Sequence, residues 1–178
     1  MIETHNILCS GPSLTKTFND GIKGLRIGVN RAVLCFKTDW LVVQDQLAWQ
    51  NLNITHHDKI FTVHEGRKWG CSNIEKEVET LFGLYPPTMK WTVFSSTAAI
   101  VLSHFLGGRQ INIYGADMCG IDYCDGYRLP NVKCYVRRWK SEHDILSSLC
   151  QWLYDKDGTR VQRTLDNGTI KRCYQNAG

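Results

Sequence analysis

The sequence predicts an α/β domain: a mostly parallel sheet with helices on both faces, closed by a C-terminal β-hairpin. Three observations predict it. Short runs of near-continuous apolar residues alternate with helix-compatible segments, the pattern of strands buried on both faces. Several of these runs end in small or polar residues, Ser10-Gly11-Pro12-Ser13, Asn30 and Gly115-Ala116-Asp117 among them. Near the end, Asp166-Asn167-Gly168 separates Arg160–Leu165 from Thr169–Tyr174, a hairpin signature.

Taken in order, Ile7-Leu8-Cys9 reads as a first strand, with Ser13 capping a helix that runs to Phe18. Leu25–Val29, Trp40–Val43 and Ile60–Val63 read as strands ending at Asn30, Gln44-Asp45 and His64. Ile74 to Phe82 has helical spacing, with Ile74, Val78, Leu81 and Phe82 on one face. Trp91–Phe94 is either a strand or the lead into a helix. Ser95-Ser96 then caps an apolar helix from Thr97 to Leu106, stopped by Gly107-Gly108. Ile111–Tyr114 is a strong strand. Val132–Trp139 reads as the last core strand, and Ser141 as the lead into a helix to about Tyr154, with Glu142 and Asp144 in its dipole-favoured first turn. No linker or internal repeat interrupts the 178 residues, so one domain is expected over 1–178, with 159–178 as a hairpin extension.

Composition narrows the function classes. The longest apolar stretch, Thr97 to Leu106, falls well short of a membrane span. The polar N-terminus lacks the charged and apolar regions of a secretory signal, which points to the cytoplasm. Eight cysteines at irregular spacing, several inside apolar runs, read as reduced thiols rather than a disulfide scaffold. Cys119, Cys124 and Cys134 lack zinc-ligand spacing, and adjacent His56-His57 is a poor metal pair, so no metal site is expected. The net charge of +4 is mild. Its late cluster (Arg137, Arg138, Lys140, Arg160, Arg163, Lys171 and Arg172) reads as a solvated basic face, and a nucleic-acid partner is not expected.

Ligands of open α/β sheets sit beyond the carboxyl ends of the strands, so residues just after the strands carry the functional expectation. Ser10, Gly11, Pro12 and Ser13 form a glycine-containing turn that opens a helix, where free N–H groups and the dipole favour an anion. Asn30, Asp45 and Asp117 end other strands, and Ser95-Ser96 opens a second helix. The spacing matches neither dinucleotide nor triphosphate glycine motifs. His143, one turn into its expected helix, is a candidate general base.

Together these residues resemble the bacterial CMP-sialic-acid-dependent sialyltransferases and the related family that includes archaeal 6-hydroxymethylpterin diphosphokinases. The similarity lies in a strand followed by Gly-Pro-Ser-Leu (Gly11 to Leu14), in Val29-Asn30-Arg31, and in the segment SSTAAIVLSHFLGGRQINIYGAD from Ser95 to Asp117. Asp39 to Asp45 also resembles the diphosphokinase pattern of an aspartate after a strand. Ser10 stands where the sialyltransferases carry asparagine, and Cys119 near where they carry tyrosine. The resemblance implies a Rossmann-like nucleotide-binding transferase: a nucleotide or nucleotide-sugar donor held by Asn30 and Ser96, an unidentified acceptor, His143 as base, and Tyr123 or Tyr127 at the leaving phosphate. That reading requires no cofactor. The diphosphokinase reading requires Mg²⁺, held by Asp45 or Asp117. A third reading is a non-catalytic protein that keeps the nucleotide pocket.

Overall fold

In the computed structural model, which describes residues 3–44, 52, 57, 59–62, 81–118, 122–128 and 135–175, seven strands form one sheet. The strands are β1 (Thr4–Leu8), β2 (Leu25–Val29), β3 (Trp40–Val42), β4 (Ile60–Phe61), β5 (Gln110–Tyr114), β6 (Arg160–Thr164) and β7 (Ile170–Arg172). The helices with both ends among the described residues are α1 (Leu14–Thr17), α2 (Ser95–Phe105) and α3 (Tyr135–Asp157), and short 3-10 turns cover Asn30–Leu34 and Pro87–Met89. The spatial order is β4-β3-β2-β1-β5-β6-β7. Every pairing is parallel except β6 with β7. This is the expected Rossmann-like α/β architecture with a C-terminal antiparallel hairpin.

Strand alternation explains why the apolar runs are nearly continuous. Ile7 pairs with Ile27 and Ile113 in register and joins the large core packed by α2 and α3. Its neighbour Leu8 pairs with Tyr114 and points the other way, into a smaller cluster with Leu14, Phe18 and Ala32. α2 is buried from Ser95 through His104, as a helix apolar on all sides must be. α3 buries one stripe, Leu146, Leu149, Cys150 and Leu153, at helical spacing.

Three boundaries differ from the sequence expectation. Residues 135–139, expected in a strand, begin α3, so Ser141 lies inside that helix rather than before it. The hairpin's first strand, β6, is a sheet strand paired parallel to β5, with Val161 fully buried, so this half of the hairpin joins the core while β7 forms an exposed edge. The α2 cap position is Phe94, and Ser95 and Ser96 are its first helical residues. Of the segment expected to be helical up to Phe82, 81–84 are helical and 74–80 lie outside the described residues, as does Val63 beyond β4. No helix among the described residues is long and apolar enough to cross a membrane.

Candidate functional site

β1 and β5 are neighbours, and the chain leaves them toward opposite halves of the sheet. Such a switch point opens a crevice at the carboxyl ends of the two strands. A cavity of about 150 Å³ lies there. Of the residues expected from sequence, Ser10, Gly11, Asn30, Ser95, Ser96, Asp117 and Tyr123 line it. Asp45 lies outside the described residues.

The turn after β1 does not offer the open N–H cradle expected of it. Gly11 N–H donates to Gly115 O at 2.8 Å, Ser13 N–H to Asp117 Oδ2 at 2.9 Å, and Leu14 N–H to Gly11 O at 3.1 Å. Pro12 has no N–H. The Ser13 hydroxyl also donates to Asp117 and makes no cap bond to its own helix. The chain's own carboxylate thus occupies the position expected for a phosphate. Gly11 is required for this closure, because a Cβ there would collide with the Asp117 carboxylate and the Gly115 carbonyl. Gly115 itself has φ +67°, in the left-handed region that favours glycine.

The start of α2 differs. Phe94 provides no side-chain cap, and Phe94, Ser95 and Ser96 all face the cavity. The Ser95 hydroxyl accepts from Gln44 N–H at 3.2 Å and donates to Asn30 Oδ1 at 3.3 Å. The Ser96 hydroxyl donates to Glu142 Oε1 at 2.5 Å. Ser10 donates to Val29 O at 2.6 Å. Three non-glycine residues among those described have positive φ, and two of them, Asn30 (+50°) and Met118 (+51°), line this cavity. Backbone strain of this kind gathers at functional sites.

Glu142 is the titratable group that sequence reasoning missed. It reaches the cavity from α3, and burial raises its carboxyl above the ordinary range, against the opposing Ser96 hydrogen bond and the charges of Arg138 and Arg163. A signal for it existed: 142, 146, 149 and 153 follow one helical stripe, and the last three are buried leucines.

No family model matches this chain. No curated protein and no solved structure matches it either.

The remaining expected residues lie elsewhere. His143, one residue and about 100° around α3 from Glu142, lines a separate groove of about 780 Å³ between α3 and the region around β7. Its ring is about half exposed and lies 3.8 Å from Asp144. Tyr127 is exposed and outside the cavity lining, with the Arg31 guanidinium 4.5 Å over its ring. It still helps shape the site, because Arg31 also binds Asp125 through Nε at 2.8 Å and Cys124 N–H donates to Ser10 O at 2.8 Å. These contacts seat the 122–128 loop, which carries Tyr123, beside the β1 turn. Among the described residues no group of three His, Cys, Asp or Glu side chains is placed to hold a metal ion.

Proposed function

We propose that the chain is a nucleotide-binding transferase of the glycosyltransferase kind, with its donor in the switch-point cavity. One observation carries this reading: the uncapped start of α2 opens into that cavity directly beside a half-buried carboxyl, Glu142. A helix N-terminus without a side-chain cap has free N–H groups and a favourable dipole for a phosphate. Of the two positions the sequence suggested for the phosphate, the Gly11–Ser13 turn and the Ser95-Ser96 helix start, this reading keeps the second. The cavity is smaller than the roughly 300–1,000 Å³ that encloses a drug-sized ligand. It takes the phosphate and ribose, and the rest of the donor lies across the mouth near Tyr123 and Arg138.

In this reading Glu142 replaces His143 as general base. As the acceptor hydroxyl oxygen bonds to the anomeric carbon, Glu142 takes its proton. The bond to the nucleoside phosphate breaks, its electron pair stays on the phosphate oxygen, and the α2 N-terminus and Arg138 balance the new charge. A carboxyl raised by burial has the basicity this step needs.

The Mg²⁺-dependent diphosphokinase reading fits the described residues less well. Both oxygens of Asp117 are engaged by Ser13, and Asp122 pairs with Arg128 at 3.3 Å. Calorimetric titration of CMP and of ATP, each with EDTA and with Mg²⁺, tests the choice. CMP binding in EDTA is expected. ATP binding that requires Mg²⁺, with no response to CMP, would favour the diphosphokinase. No binding by either would favour the non-catalytic reading.

A further inference from the structure

The open edge of the sheet lies beside the larger groove, and together they make a surface that the switch-point cavity does not use. β7 is the last strand in the sheet order and pairs with β6. All of its residues, Ile170, Lys171 and Arg172, are exposed. On either side of them, Thr169 O accepts from Leu165 N–H at 2.8 Å and Cys173 N–H donates to Val161 O at 3.0 Å. Hydrogen-bonded pairs alternate along an antiparallel ladder, so Lys171 turns its backbone groups toward β6, and Ile170 and Arg172 turn theirs to the outer edge. That edge is a template for a further strand.

The groove of about 780 Å³ runs between α3 and this region. Arg163 on β6 and Lys171 on β7 both line it and are directly opposed in the register. Like charges in that position repel. Arg163 is held by the Ala116 carbonyl at 3.2 Å, and among the described residues no carboxylate forms an ion pair with Arg163, Lys171 or Arg172. The acid in the lining, Asp155, accepts a hydrogen bond from Gln151 at 2.9 Å. Beyond β7 the chain is tied back to α3: Gln175 N–H donates to Gln151 Oε1 at 2.7 Å, and Gln151 Nε2 donates to Gln175 O at 3.3 Å.

We propose that this edge and groove form a docking site for an acidic, extended peptide segment of a partner protein, which adds to β7 as a further strand. An exposed strand beside a groove suits this mode of recognition: main-chain hydrogen bonds to the edge supply affinity, and alternate side chains entering pockets supply selectivity. Side chains on the α3 side meet Arg163 and Lys171, where carboxylates relieve the repulsion between the two cations. On the opposite face, Ile170, 59% exposed, offers an apolar contact and Arg172 a further cation. Two other occupants fit less well. A second copy pairing β7 with β7 would bring Lys171 and Arg172 against the same cations, the like-charge arrangement that keeps natural edges apart. A nucleic-acid strand calls for open aromatic faces under its bases, whereas Tyr174 is stacked on Tyr154 at 4.4 Å and Lys156 lies 4.5 Å over the Trp152 ring.

The full-length protein is titrated into a short fluorescein-labelled peptide of alternating Glu and Val, read by fluorescence anisotropy. Saturable binding is expected, with no response from the Lys and Val counterpart. N-methylation of alternate residues keeps the peptide's charge and removes its ladder donors, so one of the two alternate sets should abolish binding. Lys171→Glu and Arg172→Glu, both at exposed positions, should each weaken binding several-fold without loss of stability in urea. Equal binding by both methylated peptides would mean attraction by charge alone and would overturn the proposal. So would no response to the acidic peptide, or stronger competition from single-stranded oligothymidylate of matched charge, which assigns the groove to nucleic acid. Self-association in light scattering that Lys171→Glu abolishes would overturn it too, by assigning the edge to a second copy.

Discussion

The two ends of α2 each meet a titratable group, the buried His104 at one and the half-buried Glu142 at the other, and they hold it in different ways. At the C-terminal end, His104 is saturated. The Tyr85 hydroxyl donates to Nδ1, and Nε2–H donates to Asp157 at 2.7 Å. Asp157 in turn accepts from the Thr159 hydroxyl at 2.6 Å and from its N–H at 3.2 Å. At the N-terminal end, Glu142 has one hydrogen-bond partner among the described residues, the Ser96 hydroxyl, and lines a cavity. Both groups are shifted toward neutrality by burial. The shift alone therefore does not mark a site, since structural networks produce it too. The difference lies in spare bonding capacity beside open volume. The His104 network ties α2 to the end of α3, whereas the second carboxyl oxygen of Glu142 makes no hydrogen bond among the described residues.

The largest expected effect comes from breaking the open end. Glu142→Gln keeps the shape and removes the base, so transfer from the donor identified by calorimetry should fall by ~10²–10⁴-fold with donor affinity nearly unchanged. His143→Ala, on the groove side of the same helix, should keep near-normal turnover. If His143→Ala loses as much as Glu142→Gln, the base role returns to the histidine. Steady-state kinetics on the two variants decides between them.

The closed end should respond in stability instead. His104→Ala leaves the Tyr85 hydroxyl and Asp157 without their shared partner, at a cost of about 1–3 kcal/mol, read by urea unfolding. Asp117→Ala strips the acceptor from the buried Ser13 N–H and hydroxyl and should cost a similar ~1–3 kcal/mol. It also tests whether the turn after β1 is structural. Tighter nucleotide binding in Asp117→Ala at unchanged stability would show that Asp117 guards a phosphate position rather than closing the turn.

Much of this arrangement was legible in the sequence, because β1, β2 and β5 are short apolar runs with polar ends, and strand ends are where such sheets bind ligands. The switch point thus follows from Ser10, Asn30 and Asp117 as sequence positions. What each does there was less legible. That Asp117 reaches across to Ser13, 104 residues away, is a tertiary fact that local turn chemistry does not encode. The start of α3 misled for a physical reason. Tyr135, Val136 and Trp139 are residues that favour strands, and packing of the long amphipathic helix overrides that weak preference. With the start misplaced, Glu142 looked like a first-turn acid satisfying a helix dipole. In a helix beginning at Tyr135 it is an interior residue on the buried stripe. The boundary difference therefore hid that Glu142 lies on the cavity side of α3.

The smallest expected effect, and the one that compares both ends of α2 in a single measurement, is the pH dependence of stability. His104 is held below its ordinary value near 6.5 in the folded chain, with burial as the main cause. As pH falls through about 6.5 the unfolded chain takes up the proton first, so stability should decline with falling pH until the folded pKa is reached. Glu142 has the opposite sign. Its folded pKa lies above the ordinary 4.5, so the folded chain holds the proton more tightly. Its contribution is present below about 4.5 and is lost as pH rises through the folded value. Asp157, lowered mainly by Thr159 and His104 against the opposing effect of burial, acts only below its ordinary 3.8 and leaves this window untouched. Between about 4.5 and 6.5, over whatever part of that range both groups titrate, the two slopes oppose each other in the wild type. Glu142→Gln removes one of them and should steepen the loss of stability on acidification, while raising stability slightly near neutral pH. Urea midpoints of the wild type and Glu142→Gln across this range test it directly. Parallel curves would mean that Glu142 titrates alike in the folded and unfolded chains, and its assignment as a half-buried, proton-holding base would fall with that result.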